Sequence, residues 1–172
     1  MKDLNFQPIN KNLIVDCHQL NEENVPNVGS ISLEGLTDLL ENSDYSECVL
    51  IDNSVVGFVI CFQDSEVTKS YMEKIKHKNF TEISKRVAGF LYIDRIAVSS
   101  EYRNNQLGSQ LYLNIVNFSK NKSISNLTAE INLRPSVNIP SFKFHEKFNF
   151  KEIDTVKYSE DYEVSIQKKD IN

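Results

Sequence analysis

"LYIDRIAVSSEYRNNQLGSQLY", residues 91–112, decides the fold. Leu91 to Val98 is an apolar run of strand length, Asp94 and Arg95 excepted. A polar link carrying Arg103 follows, and then "NQLGSQLYLNIVNFSK", residues 105–120. There Leu107, Leu111, Ile115 and Phe118 recur at helical spacing, while Gln110, Asn114 and Asn117 lie opposite. "SNLTAEINL", residues 125–133, reads as the next strand, and Pro135 ends it. Strand, helix and strand in that order make a parallel step with a right-handed crossover.

The rest of the chain frames that step. "DLNFQPI" reads as a short first strand, and "KNLIVDCHQLNEEN" as a helix with Leu13, Ile14, Cys17 and Leu20 at helical spacing. "VPNVGS" breaks it, and "SLEGLTDLLENS" is a second helix with Leu33, Leu36, Leu39 and Leu40 on one face. "ECVLIDNSVVGFVICF" is a hairpin turning near Asp52, Asn53 and Ser54. Residues 64–88 are polar and read as an irregular or weakly helical loop over a site, with Tyr71 and Phe80 as candidates to line an acceptor side. "IPSFKFHEKFNF" is a short helix entered at Pro140, and "FKEIDTVKY" with "DYEVSIQKK" makes a terminal hairpin around "SED". The expected class is α/β, or α+β. It is one domain over residues 1–172, with a mixed, mostly antiparallel sheet, a central parallel βαβ step and flanking helices.

Bulk properties narrow the function. A chain of 172 residues buries a sizeable core in one domain without staples. The net charge of -5 argues against a primary nucleic-acid partner, which needs a basic face. Cys17, Cys48 and Cys61 are an odd set without CxxC spacing, so they read as buried reduced thiols, with no metal site, in a cytoplasmic protein. The start "MKDLNFQPIN" has no apolar core of a signal peptide, and no apolar run reaches membrane-spanning length.

The junction before the long helix has its own chemistry. The first amides of a helix lack intrahelical partners, and the helix dipole adds partial positive charge there. "RNNQLGS" therefore offers an anion site with the fixed charge of Arg103, and Gly108 has no Cβ to block a diphosphate. It is neither a Walker A loop nor a GxGxxG fingerprint.

"RNNQLGSQLY" after "IDRIAV" resembles the acetyl-coenzyme A loop of the GNAT acyltransferase superfamily, Arg/Gln-x-x-Gly-x-Gly/Ala between a strand and a long helix. Arg103 and Gly108 match its ends; Gln106 stands in place of its first glycine. "NIPSFKFHEKFNF" resembles the second signature, an asparagine before a short helix ending "YEKLGF", with His145 for the tyrosine and Asn149 for the glycine. "YIDRIAV", "AEINLRPSVNIPS" and "FHEKFNF" together resemble the branch of GNAT acetyltransferases of unknown substrate. The resemblance is strong over residues 89–152 and elsewhere follows element order.

What it implies is transfer of an acetyl group from acetyl-CoA to a primary amine by direct attack. The acceptor (small amine, amino acid or protein amine) stays open, and so does a homodimer. It implies a backbone amide near Ile96, Ala97 or Val98 for the thioester carbonyl. The amides of Arg103, Asn104, Asn105, Gln106, Leu107, Gly108 and Ser109 would hold the pyrophosphate, and Asn138 and Ser141 the pantetheine arm. For the base, Glu130 and Asp94 are both candidates, each a carboxylate among apolar strand residues, where burial raises a pKa. Glu130 shares its face with Thr128 and Asn132, and Asp94 shares its face with Tyr92, Ile96 and Val98. A buried salt bridge to Arg95 or Arg134 is the structural alternative. His145 is the candidate acid, one turn from Ser141; His18 and His77 read as surface or packing residues. The rival class is a non-catalytic acyl-CoA-binding or protein-interaction domain on the same fold.

Overall fold

The computed structural model describes residues 4–103 and 105–171. Among the described residues, seven strands form one mixed sheet in the order β1-β2-β3-β4-β5-β7-β6, with six α-helices. The chain divides into two compact units, Met1–Phe62 with Ile93–Asn117, and Gln63–Tyr92 with Phe118–Asn172.

In the first unit, β1 (Leu4–Pro8), β2 (Tyr45–Ile51) and β3 (Ser54–Gln63) run antiparallel in sequence. The β2–β3 turn sits where the sequence placed it: Asp52 and Asn53 both take positive φ, 51° and 65°, the backbone of a tight hairpin turn. Gly57 on β3 is a close approach, because a Cβ there would lie 3.0 Å from Val49 Cγ1 and 3.3 Å from the Ala97 carbonyl. Helices α1 (Ile14–Glu23) and α2 (Leu33–Glu41) follow β1. Cys17 and Leu20 of α1, and Leu36 and Leu39 of α2, are buried as the helical stripes require. Leu33 is exposed, because it occupies the first helical position after the Ser32 cap.

In the second unit, the segment read as a loop is two helices, α3 (Glu66–Lys74) and α4 (Lys78–Ser84). Side-chain caps explain them. Ser65 Oγ accepts from Thr68 N at 3.1 Å, and His77 Nδ1 accepts from Phe80 N at 3.2 Å. Their apolar periodicity is thin, with Met72, Phe80 and Ile83 buried but Val67 exposed. Phe80 is a core residue rather than a liner of an acceptor pocket: its ring lies 5.4 Å from Phe90 and 5.9 Å from Tyr92. Strand β5 (Asn126–Arg134) runs parallel to β4 (Phe90–Val98), in register from Phe90↔Asn126 to Tyr92↔Thr128. The hairpin of β6 (Lys151–Ser159) and β7 (Tyr162–Asp170) joins through β7, which pairs antiparallel with β5. Helices α5 (Leu107–Asn121) and α6 (Ile139–Lys147) complete the parallel step and the passage into the hairpin.

Candidate active site

The first unit holds the junction that opened the sequence reading. Helix α5 begins at Leu107, and Gln110 N donates to Gln106 O at 2.9 Å. The amides of Leu107, Gly108 and Ser109 belong to the first turn, at the positive end of a fifteen-residue helix. Gln106 takes φ 61°, the left-handed region. That accounts for the residue type met in the motif: glycine adopts this backbone without strain, and here glutamine is held in it. Asn105 and Gln106 are exposed; Asn104 lies outside the described residues.

The charge of Arg103 is placed by a contact the sequence did not show. Its guanidinium donates to Asn24 Oδ1 at 3.1 Å, and Asn24 in turn donates to Leu20 O at 2.9 Å. Asn24 is the C-cap of α1, so the loop before α5 is tied to the end of α1.

Ile96, Ala97 and Val98 form the end of β4. Asp94 meets the structural alternative raised for it: its carboxylate lies 3.1 Å from Arg95 Nε, with both side chains largely buried. Its charge, after burial, helps push the Cys61 thiol well above its ordinary range. Arg95 also donates to Asn21 Oδ1 at 2.9 Å and to Gly29 O at 2.6 Å, pinning the connection after α1. Glu22 closes the same connection by accepting from Ser30 Oγ and Ile31 N, which holds its carboxyl at about 2. His18 is a packing residue there, its Nε2 2.8 Å from Ile31 O.

In the second unit, Glu130 is half-buried on β5, opposite Ile166 of β7. Arg134, at the end of the same strand, pairs with Glu163 at 2.8 Å. Asn138 caps α6: its Oδ1 accepts from Ser141 N at 3.2 Å. His145 is buried, and its Nδ1 donates to Ser141 O at 2.8 Å. Its ring stands edge-on to Phe150 at 5.0 Å, and burial lowers its pKa, so it is neutral near pH 7. The ring is thus held between the Ser141 carbonyl and the Phe150 face. Asn149 takes φ 62°, the left-handed conformation for which the second signature carries glycine.

Sequence reasoning missed Asn24 and Asn21 in the first unit, and Asn79, Tyr158 and Tyr162 in the second. Polar residues at such positions carry no periodic signal; Asn79 and Tyr158 alone are 79 positions apart.

Comparison with known proteins agrees with this geometry. The family model described as Acetyltransferase (GNAT) family matches residues 15–150, and the chain belongs to that family. Its reaction class is acetyl-CoA-dependent acetyl transfer to an amine. Among solved structures, Ard1 from Thermoplasma volcanium aligns with TM-score 0.77 at 14% identity, over 98% of each chain. An N-acetyltransferase from Staphylococcus aureus Mu50 aligns with TM-score 0.73 at 18% identity, over 99% of each. NAA60 from Arabidopsis thaliana, solved in complex with acetyl-CoA, aligns with TM-score 0.74 at 14% identity, over 98% of this chain and 100% of that one. These likenesses concern the fold. No match is found among the curated proteins. Among the described residues, no group of three or more His, Cys, Asp or Glu could hold a metal ion, and no helix is long and apolar enough to cross a membrane.

Proposed function

We propose that the chain binds acetyl-CoA through the α5 junction and that its acceptor amine attacks the thioester directly, with Glu130 as base. The observation that carries this is the backbone at Gln106. A left-handed residue immediately before a long helix turns the chain into the successive amides of the first turn, which suits a pyrophosphate. In this reading the amides from Arg103 to Ser109 hold the pyrophosphate. Asn138 and Ser141 hold the pantetheine arm. An amide among Ile96, Ala97 and Val98 meets the carbonyl.

Glu130 is favoured over Asp94 because Asp94 already neutralises Arg95 within a largely buried pair. Glu130 takes the proton of the incoming ammonium, so that nitrogen gains the lone pair it needs. His145 is left out of proton transfer, and the departing thiolate takes its proton from solvent. The 172 residues are read as one domain, because one family model spans most of both units. Three free buried cysteines support a cytoplasmic location. The charge of -5 supports amine rather than nucleic-acid acceptors.

The experiment is a screen of amines and peptides for thiol release from acetyl-CoA, with binding measured in parallel. Thiol release that depends on an added amine is the expected result. Acetyl-CoA binding without release by any amine would make the chain a non-catalytic acyl-CoA-binding domain. Absence of binding would overturn the proposal altogether.

A further inference from the structure

Two arginines bracket the stretch from the end of β4 to the α5 junction, and the end of α1 meets both. Arg95, just before Ile96, donates through Nη1 to Asn21 Oδ1 at 2.9 Å. Arg103, at the start of the junction, donates through Nη2 to Asn24 Oδ1 at 3.1 Å. Asn21 and Asn24 are both buried, one turn apart at the end of the helix. The last turn of α1 carries Glu22 and Glu23 and no basic residue, and a helix C-terminus attracts a cation. Asn24 is itself held fast. Its Nδ2 donates to Leu20 O at 2.9 Å, its backbone N–H donates to Asn21 O at 3.0 Å, and its carbonyl accepts from Asn27 N at 2.9 Å. Arg103 is exposed, and among the described residues no other side-chain hydrogen bond or ion pair engages its guanidinium. A guanidinium carries five N–H donors, so this one contact leaves the others for an anion.

We infer that Asn24 is a positioning residue for the donor: anchored at the end of α1, it holds the Arg103 guanidinium at the α5 junction, where its charge meets the diphosphate of acetyl-CoA. This rests on the reading of that junction as the diphosphate site. The gain is preorganisation. A loose arginine spreads over many rotamers and gives them up when it orders on an anion; one already held by Asn24 gives up fewer. A neutral amide oxygen suits the task, because it orients the guanidinium without cancelling its charge, as a carboxylate there would. The Arg95–Asn21 contact ties the other end of the segment to the same helix end, so Ile96–Val98 and Arg103 share one support.

The test is a double-mutant cycle, read by calorimetric titration of coenzyme A into the full chain. Arg103→Met should weaken binding by about tenfold, the effect of losing one charge-assisted hydrogen bond. Asn24→Ala should weaken it by about three- to tenfold, through the rotamer freedom returned to Arg103. In the Arg103→Met background Asn24→Ala should add nothing, because its effect runs through the guanidinium. Asn24→Ser keeps a polar group at the helix end but is one bond too short for the contact. It should match Asn24→Ala, and it keeps the test open if that variant fails to fold. Unchanged affinity in a folded Asn24 variant would overturn the inference. So would losses that multiply in the double variant, which would mark Asn24 as merely structural. Wild-type affinity in Arg103→Met would overturn it at the root, by placing the diphosphate away from the junction. An Asn24 variant that binds like wild type while Arg103→Met is impaired leaves the junction reading standing, so the two failures are distinguishable.

Discussion

Replacing Gln106 by glycine should stabilise the protein. Gln106 sits at φ 61°, where a residue with a Cβ crowds the following carbonyl, at a cost of about 1–2 kcal/mol. Glycine removes that strain but gives the unfolded chain more freedom, which takes back about 0.4–1 kcal/mol. The difference favours glycine by about 0.5–1 kcal/mol. For a chain of this length each kcal/mol moves Tm by about 2–4 °C, so the expected gain is about 1–4 °C. Asn149→Gly is the internal comparison. It occupies φ 62°, yet asparagine tolerates the left-handed region far better than glutamine, so its gain should be smaller. Thermal unfolding followed by circular dichroism, without ligand and at one scan rate, reads both variants. A Tm for Gln106→Gly at or below wild type, or a larger gain for Asn149→Gly, would refute the reasoning. The backbone at 106 would then be relaxed by something other than residue type.

Acetyl-CoA at about 100 times its Kd should stabilise wild type by about 2.7 kcal/mol, and Gly108→Val should remove most of that shift in a thermal melt; an undiminished shift places the pyrophosphate elsewhere. Glu130→Gln should lower kcat by about 10²–10⁴-fold and leave acetyl-CoA affinity intact. If steady-state kinetics find Asp94→Asn crippled and Glu130→Gln active, the base is Asp94. His145→Phe should keep kcat close to wild type, because a buried neutral imidazole with its Nδ1 committed to Ser141 O moves no proton. Loss of turnover at an unchanged Tm would restore His145 as the acid. The same histidine has its pKa lowered in the folded state, so the unfolded chain binds the proton more tightly. Its contribution is full above the ordinary value of about 6.5 and is lost as pH falls below it. Denaturant unfolding at pH 7.5 and 5.5 should show a steeper loss for wild type than for His145→Phe, and equal slopes would contradict this.

The parallel step, the two N-terminal helices and both hairpins were legible in the sequence, because burial of one face is written locally as a period. Leu107, Leu111 and Ile115 are buried as their spacing requires, and the Asp52–Asn53 turn has the backbone its residues favour. The loop before α5 was legible too, as an arginine, a glycine and a helix start. The helices between β3 and β4 were not, since a polar segment stabilised by the Ser65 and His77 caps carries little periodicity. Nor could the sequence explain why Gln106 and Asn149 replace glycines. A φ value belongs to the backbone path, and the packing of α5 and the exit of α6 set that path. Which charges meet was likewise decided only in three dimensions. Asp94 pairs with Arg95, Arg134 with Glu163, and Arg103 reaches Asn24, 79 residues away. Periodicity reports which side of an element is buried and says nothing of what it is buried against. The partner of a polar side chain is fixed by topology and register, and those belong to the folded chain as a whole.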